Sequence, residues 1–271
     1  MSISATTWLV DMGNSRLKLA PLMPTGEPGP VIVIGNDQAD RDDALVRALG
    51  AHKPADRGDV LSQALSTHHA AGALSLVWLA SVAPEGVTLA TVLLLQAAGA
   101  EVRRVRTRLE CGRLKIAYAD PAALGVDRFL SLLAASERED GPWVMVSAGS
   151  ALTVDVLARE GTHQGGLIAG MPGDMQAALA RRFSQLDVPA GRVRALADNT
   201  ADAIASGSSA AILGLVERTL RLAGRQLGDT PTLLLSGGAA ELLADIEHSK
   251  IVHAPTLPLE GLALFARGEV R

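Results

Sequence analysis

At 271 residues the chain is long enough for one large domain or two of ordinary size, and a 48% hydrophobic content with only 3% aromatics implies a core of Ala, Val, Leu and Ile. The net charge is −4, and the most basic stretch, "EVRRVRTRLE", is short and punctuated by acids and valines, which argues against the basic face of a nucleic-acid binder. The single cysteine, Cys111, rules out an internal disulfide and suits a reducing cytoplasm, while no apolar run approaches the roughly 20 residues of a membrane span.

The predicted elements begin with a strand at about 7–12, a turn at Gly13-Asn14-Ser15 and a strand at 15–21. The Pro/Gly loop "PTGEPGP" and a strand at 31–35 complete a β-meander. A polar helix near 41–50, a loop containing "HKPADRGD", the buried strand "LSLVWLASV", a helix at 86–99 and the strand "EVRRVRT" close the first half. The second half opens with the helix "VDRFLSLLAASERE" and a second meander in "WVMVSAGSALTVDVLAREGTHQGGLIAG". Helices follow at 172–184 and 200–227, then the strand "TLLLSGG", a helix, the short strand "KIVHA" and a last helix, "LEGLALFARG".

Each half therefore runs three strands first and helices later, with a small-residue turn between its first two strands. This repetition predicts two related α/β lobes, residues 1–119 and 120–271, with a cleft between them. The join falls near Asp120-Pro121, where a residue before proline is pushed away from helix and the next helix can start.

Common nucleotide and metal motifs are missing. There is no Gly-Lys pair for a Walker loop, no Gly-x-Gly-x-x-Gly and no His-Glu-x-x-His, and the adjacent His68-His69 reads as a solvated loop pair. The stretch "DMGNSRLK" is more informative. Asp11 lies in an apolar run, and a buried carboxylate is costly unless a cation or hydrogen-bond donor meets it. At a strand end followed by a tight turn, Asp11 with Asn14 and Ser15 makes a site for Mg²⁺ and phosphate oxygens, and Lys18 reaches the same phosphate as a point charge. A matching turn, "SAGSALTVD", stands in the second half, and Ser236-Gly237-Gly238 follows a buried strand where glycines let a nucleotide approach the backbone. Two phosphate-type turns are more specific than either one, which taken alone is an ordinary hairpin.

With "YADPAALGVDRFLSLLAA", "GGLIAG" and "DNTADAIASG" in register, the chain resembles type III pantothenate kinases, a family that also contains proteins named Bvg accessory factor. The similarity runs from about residue 8 to the C-terminus and is weakest between 22 and 75. The resemblance implies the fold of the acetate and sugar kinase, Hsc70 and actin superfamily: two ribonuclease H-like lobes with mixed sheets flanked by helices. It implies an ATP- and Mg²⁺-dependent cytoplasmic enzyme that phosphorylates pantothenate in the first step of coenzyme A biosynthesis, acting as a homodimer.

The family's first ATP-phosphate motif matches Asp11, Met12, Gly13, Asn14, Ser15, Arg16, Leu17 and Lys18, with Asp11 toward Mg²⁺, and Ser150 falls where a phosphate-contacting Thr is usual. Its pantothenate segment matches Gly125, Val126, Asp127 and Arg128, with Asp127 as proton acceptor and Arg128 toward the substrate carboxylate. Tyr118 matches a substrate-contacting Tyr, and Thr200 a Thr that reaches the pantothenate of the partner subunit.

Two positions depart from the family pattern. Ser147 stands where an Asp associated with a monovalent cation, K⁺ or NH₄⁺, is usual, and a neutral oxygen holds such an ion more weakly. Ala169 replaces a Pro, with Met171-Pro172 restoring rigidity two residues on. Two alternatives stay open: a kinase for another small hydroxylated substrate, and a catalytically weak regulatory protein of the same fold. The first is opposed by Tyr118 and the Gly-x-Asp-Arg segment, and the second is favoured by Ser147.

Overall fold

The computed structural model describes residues 7–35, 42, 44–45, 76–182, 190–238 and 241–268. Strand β1 (Thr7–Met12) is buried from Leu9 onward, side chains of both faces included, because it lies in the middle of its sheet. It pairs antiparallel with β2 (Arg16–Pro21), which pairs antiparallel with β3 (Ile32–Gly35). On its other edge β1 pairs parallel with β4 (Leu76–Ser81), and β4 parallel with β5 (Glu101–Arg104). The order is β3-β2-β1-β4-β5.

After a two-stranded ribbon of β6 (Glu110–Cys111) and β7 (Leu114–Lys115), the same plan recurs. Strands β8 (Trp143–Ala148), β9 (Leu152–Leu157) and β10 (His163–Ala169) form the antiparallel part, and β11 (Thr232–Gly237) and β12 (Ile251–His253) join in parallel, in the order β10-β9-β8-β11-β12. Both sheets are thus mixed, with their first strand at the centre.

Five helices accompany them among the described residues: α1 (Glu85–Ala97), α2 (Val126–Ser136), α3 (Pro172–Arg182), α4 (Thr200–Leu227) and α5 (Leu257–Ala266). The longest, α4, starts where the Asn199 side chain accepts from Asp202 N at 2.9 Å and ends where Gly228 adopts φ 68°. Its buried Ile212, Val216, Leu220 and Ala223 recur at helical spacing and pack in the core with Val144, Val146, Val154, Leu233 and Leu235.

Two compact units result. One takes its described residues from Met1–Gly112, Tyr118–Ala134 and Thr256–Arg271, the other from Arg113–Ala117 and Ala135–Pro255. A single cut at 119/120 does not follow this packing, since most of α2 and all of α5 lie with the first sheet. Gly261 explains why: on α5 it has no side chain, and any Cβ would run into the Leu130 carbonyl of α2. Phe265 then meets Trp78 of β4 and Phe129 of α2 edge-on, with ring centroids 5.9 and 6.4 Å apart.

The structure departs from expectation between β11 and β12. No α-helix forms there among the described residues, which hold one 3-10 turn, Glu241–Leu243. The hydrogen bonds from Ala244 to Glu241 and from Ile246 to Leu243 span three residues, as tight turns do, and Ile246 dives into the core instead of continuing a helix. The helix expected near 41–50 lies outside the described residues except at 42, 44 and 45.

Candidate active site

The β1–β2 hairpin delivers Asp11 at the penultimate position of β1, in register with Lys18 of β2 and Ala80 of β4. Gly13 N donates to Arg16 O at 2.9 Å and closes the turn, leaving Asn14, Ser15 and Arg16 exposed. Met12 and Leu17, both named as ATP-binding residues from sequence, have fully buried side chains in the core, so only their backbones are available to a ligand.

Asp11 is 8% exposed, and its carboxyl is raised to about 7. Burial is the main cause, the charge of Asp127 pushes the same way, and Lys18 opposes both. The fold therefore brings near one another two carboxylates that lie 116 positions apart in the sequence, counting from 11 to 127. A like-charged, desolvated arrangement of this kind is a functional-site signature, because a cation relieves it.

Asp127 occupies the first turn of α2, where its Oδ1 accepts from Arg128 N at 2.8 Å. Gly125, two residues earlier, leaves the carboxylate its place: a Cβ there would stand 2.7 Å from Asp127 Oδ1 and make it shift. Arg128 is buried, 7% exposed, and its Nη1 donates to Tyr118 Oη at 3.2 Å with the guanidinium 5.7 Å from the ring centre. Tyr118, Gly125, Asp127 and Arg128, read from one stretch of the chain, thus lie in the first unit with Asp11 and Lys18 of another.

The remaining candidates belong to the second unit. Ser150 lies exposed in the β8–β9 turn, beside Gly149, whose N donates to Ala151 O at 3.1 Å. Ser147 on β8 is in register with Thr153 of β9 and Ser236 of β11, so three hydroxyls share one face of the sheet. Gly237 has φ 76° and would drive a Cβ into the Ala148 carbonyl, which makes glycine obligatory there. Thr200 opens α4 on an open groove of about 900 Å³ lined by Met175, Leu179, Asn199, Ile204 and Ser208.

Sequence reasoning missed three features. One is the pairing of Asp11 with Asp127, which no local pattern encodes. Another is a buried contact of the second unit, where His163 Nε2 and Asp155 Oδ1 are 3.0 Å apart and Ala117 N donates to His163 Nδ1 at 3.4 Å. The third is the loop after β4, whose only signal was "ASVAP" at the end of a buried strand. Among the described residues no group of three or more His, Cys, Asp and Glu is arranged to hold a metal, and no helix is long and apolar enough to cross a membrane.

Comparison with known proteins agrees with the sequence pattern. The family model for type III pantothenate kinase matches residues 8–222. A type III pantothenate kinase of Xanthomonas campestris pv. campestris (strain 8004) is 39% identical over 259 residues, 96% of each chain, and one of Stenotrophomonas maltophilia (strain K279a) is 38% identical over 260, again 96% of each. Among solved structures, a conserved Baf family protein from Campylobacter jejuni superposes with a TM-score of 0.56 at 18% identity, covering 97% of this chain and 99% of that one. The activator of the 2-hydroxyisocaproyl-CoA dehydratase from Clostridium difficile, solved with ADPNP, gives 0.50 at 10%, covering 97% and 95%. At these identities the two structures bear on the fold alone, and with the repeated sheet order they make it the actin-like ATPase fold.

Proposed function

The chain belongs to the type III pantothenate kinase family, and we infer from that membership that it transfers the γ-phosphoryl group of ATP to the primary hydroxyl of pantothenate, the entry to coenzyme A. The observation that carries the site assignment is the convergence of Asp11, Asp127, Arg128 and Tyr118 in one unit.

In this reading Asp127 orients the acceptor hydroxyl. The hydroxyl oxygen bonds to the γ-phosphorus, the bond from that phosphorus to the β–γ bridging oxygen breaks, ADP departs, and the hydroxyl proton passes late to the Asp127 carboxylate. An alcohol of pKa about 16 needs little prior deprotonation before a loose transition state, so the base acts mainly by position. Arg128 offers the substrate carboxylate a charge-assisted pair, and its bond to Tyr118 holds the guanidinium in place. Lys18, with the exposed Asn14, Ser15 and Arg16 of the turn, meets phosphate oxygens, as does Ser150 on its own hairpin.

The residues fit Mg²⁺. Asp11 is a desolvated carboxylate beside another carboxylate, and magnesium is ordinarily held by one or two carboxylates together with substrate phosphates, not by a dedicated cage. Bound there through Asp11, the ion would neutralise charge on the phosphates. A K⁺ or NH₄⁺ site fits poorly, because Ser147, Thr153 and Ser236 bring neutral hydroxyls and no carboxylate. The enzyme therefore works with little K⁺ stimulation. It works as a homodimer in the cytoplasm, with Thr200 reaching a partner's acceptor; exposed Val193 and Leu196 just before α4 support the pairing.

The test is coupled ADP release with ATP, Mg²⁺ and pantothenate, beside Asp127→Asn. Turnover that requires pantothenate and drops by about 10²-fold or more in the variant is the expected result. Turnover indifferent to the variant would cancel the role of Asp127, and none at all in folded protein would favour the regulatory alternative, for which the neutral Ser147 speaks.

A further inference from the structure

The loop joining β4 to α1 reaches the same end of the sheet as Asp11. Val82 N donates to Met12 O at 3.0 Å, so residue 82 continues the parallel pairing one step beyond β1. This is the carboxyl end of two adjacent parallel strands, with the strand beyond β1 antiparallel, the kind of edge where open α/β sheets bind ligands. The loop is pinned from below. Ser81 Oγ and Thr88 Oγ1 are 2.8 Å apart, Ala83 N donates to Ser81 Oγ at 3.2 Å, and Thr88 Oγ1 donates toward Ala83 O at 3.3 Å and Pro84 O at 3.2 Å. Thr88 is buried, while Val82 itself is half-buried and stands apart from the apolar cluster that includes its neighbour Ala83.

Gly125 shows what Val82 faces. A Cβ at 125 would lie 2.7 Å from Asp127 Oδ1 and 3.5 Å from Val82 Cγ1. The Asp127 carboxylate oxygen and a Val82 methyl group thus both lie close to Gly125, and so near one another. An alcohol held at Asp127 would have its neighbouring carbon within reach of that methyl. In pantothenate the carbon next to the primary carbinol is quaternary and carries two methyl groups. The second unit underlines the difference: at the equivalent step Gly238 N donates to Ala148 O at 3.0 Å, and no side chain projects there.

We propose that Val82 is a specificity-determining residue of the acceptor site, packing its methyls against the branched carbon beside the reacting hydroxyl. The inference rests on pantothenate being the acceptor. It assigns to the Ser81–Thr88 hydroxyl contact the task of holding Val82 in place.

The experiment measures kcat/KM of the full-length enzyme for pantothenate and for its analogue lacking the two methyls, in wild type, Val82→Ala and Val82→Thr. KM for ATP and the melting temperature are recorded alongside. The wild type should favour pantothenate by about tenfold or more, the scale on which apolar pockets read methyl groups. Val82→Ala should lose most of that preference through KM for pantothenate, with KM for ATP and melting unchanged. Val82→Thr keeps the shape and one methyl and should fall between; it carries the comparison if the alanine variant folds poorly. A wild type that uses both acceptors equally, or a preference that survives in the variants, overturns the proposal while leaving the kinase reading intact. Absence of pantothenate-dependent turnover in the wild type overturns both.

Discussion

The β1–β2 and β8–β9 hairpins occupy the same place in two copies of one topology, each central in its sheet and each flanked by a parallel strand. At the penultimate position of the first strand one copy has Asp11 and the other Ser147, and one step past the parallel strand one has Val82 and the other Gly238. The backbone hydrogen bonds at that step are both 3.0 Å, so the scaffold is indifferent to these choices. The repeated topology supplies two equivalent strand-end turns that differ in side-chain chemistry: a charged, side-chain-rich turn in the first unit and a neutral, backbone-rich one in the second.

The sharpest way to break this comparison is to erase it. Asp11→Ser gives the first hairpin the residue of the second and should lower kcat/KM by about 10²–10³-fold, the cost of removing one preorganised electrostatic element. A variant with wild-type turnover would show that the two hairpins do not differ in task. Gly125→Ala pushes a Cβ to 2.7 Å from Asp127 Oδ1 and should cost about 10²-fold in kcat by displacing the carboxylate, with melting little changed.

A titration sharpens the same contrast through stability. Asp11 holds its proton to about 7 in the folded chain against 3.8 for an ordinary aspartate in the unfolded one, so between these limits the folded state binds the extra proton. Without Mg²⁺ or nucleotide, the contribution of Asp11 to stability is then fully present below about pH 4, is lost as pH rises to about 7 and is flat above, by roughly 4 kcal/mol at most. Denaturant unfolding of wild type and Asp11→Asn across this range checks it, since the variant should lack that portion of the slope. The same proton must leave before a divalent cation binds, so Mg²⁺-ATP affinity should weaken below about pH 7. The smallest effect is expected from Ser147→Asp, which restores a charge to the second hairpin: wild type should show little response to K⁺ in Na⁺-free buffer and the variant a several-fold one. A steep K⁺ requirement in wild type would mean that neutral hydroxyls suffice.

Much of the fold was legible along the chain. The strands that were read correctly carry dense apolar runs bounded by Gly, Pro, Asn or Ser, as in "WLVDMGNS" and "WVMVSAGS", and local patterning of this sort needs no tertiary information. The helix expected after Gly238 failed because Ile246 found a better place in the core than a helical register allows. The short ribbon of β6 and β7 escaped notice since two-residue strands have no period to detect. Within the site, Asp11, Tyr118, Asp127 and Arg128 were each visible as residue types in a motif, whereas Val82, an ordinary valine after an ordinary strand, was not.

By itself the sequence determined the strand and helix alternation, the doubled three-strand openings, the oddity of a carboxylate in a buried strand and the family motifs that explain it. Those are local properties, set by periodicity and by the cost of burying charge. Only the tertiary structure decided that Asp127 shares an electrostatic environment with Asp11, that Arg128 lies against Tyr118, and that α5 closes on α2 through Gly261. The Tyr118–Arg128 contact spans ten residues, and the other two join positions more than a hundred apart. They are selected by the packing of whole elements, and for Asp11 with Asp127 and for Gly261 with Leu130 no short window of the chain contains both partners.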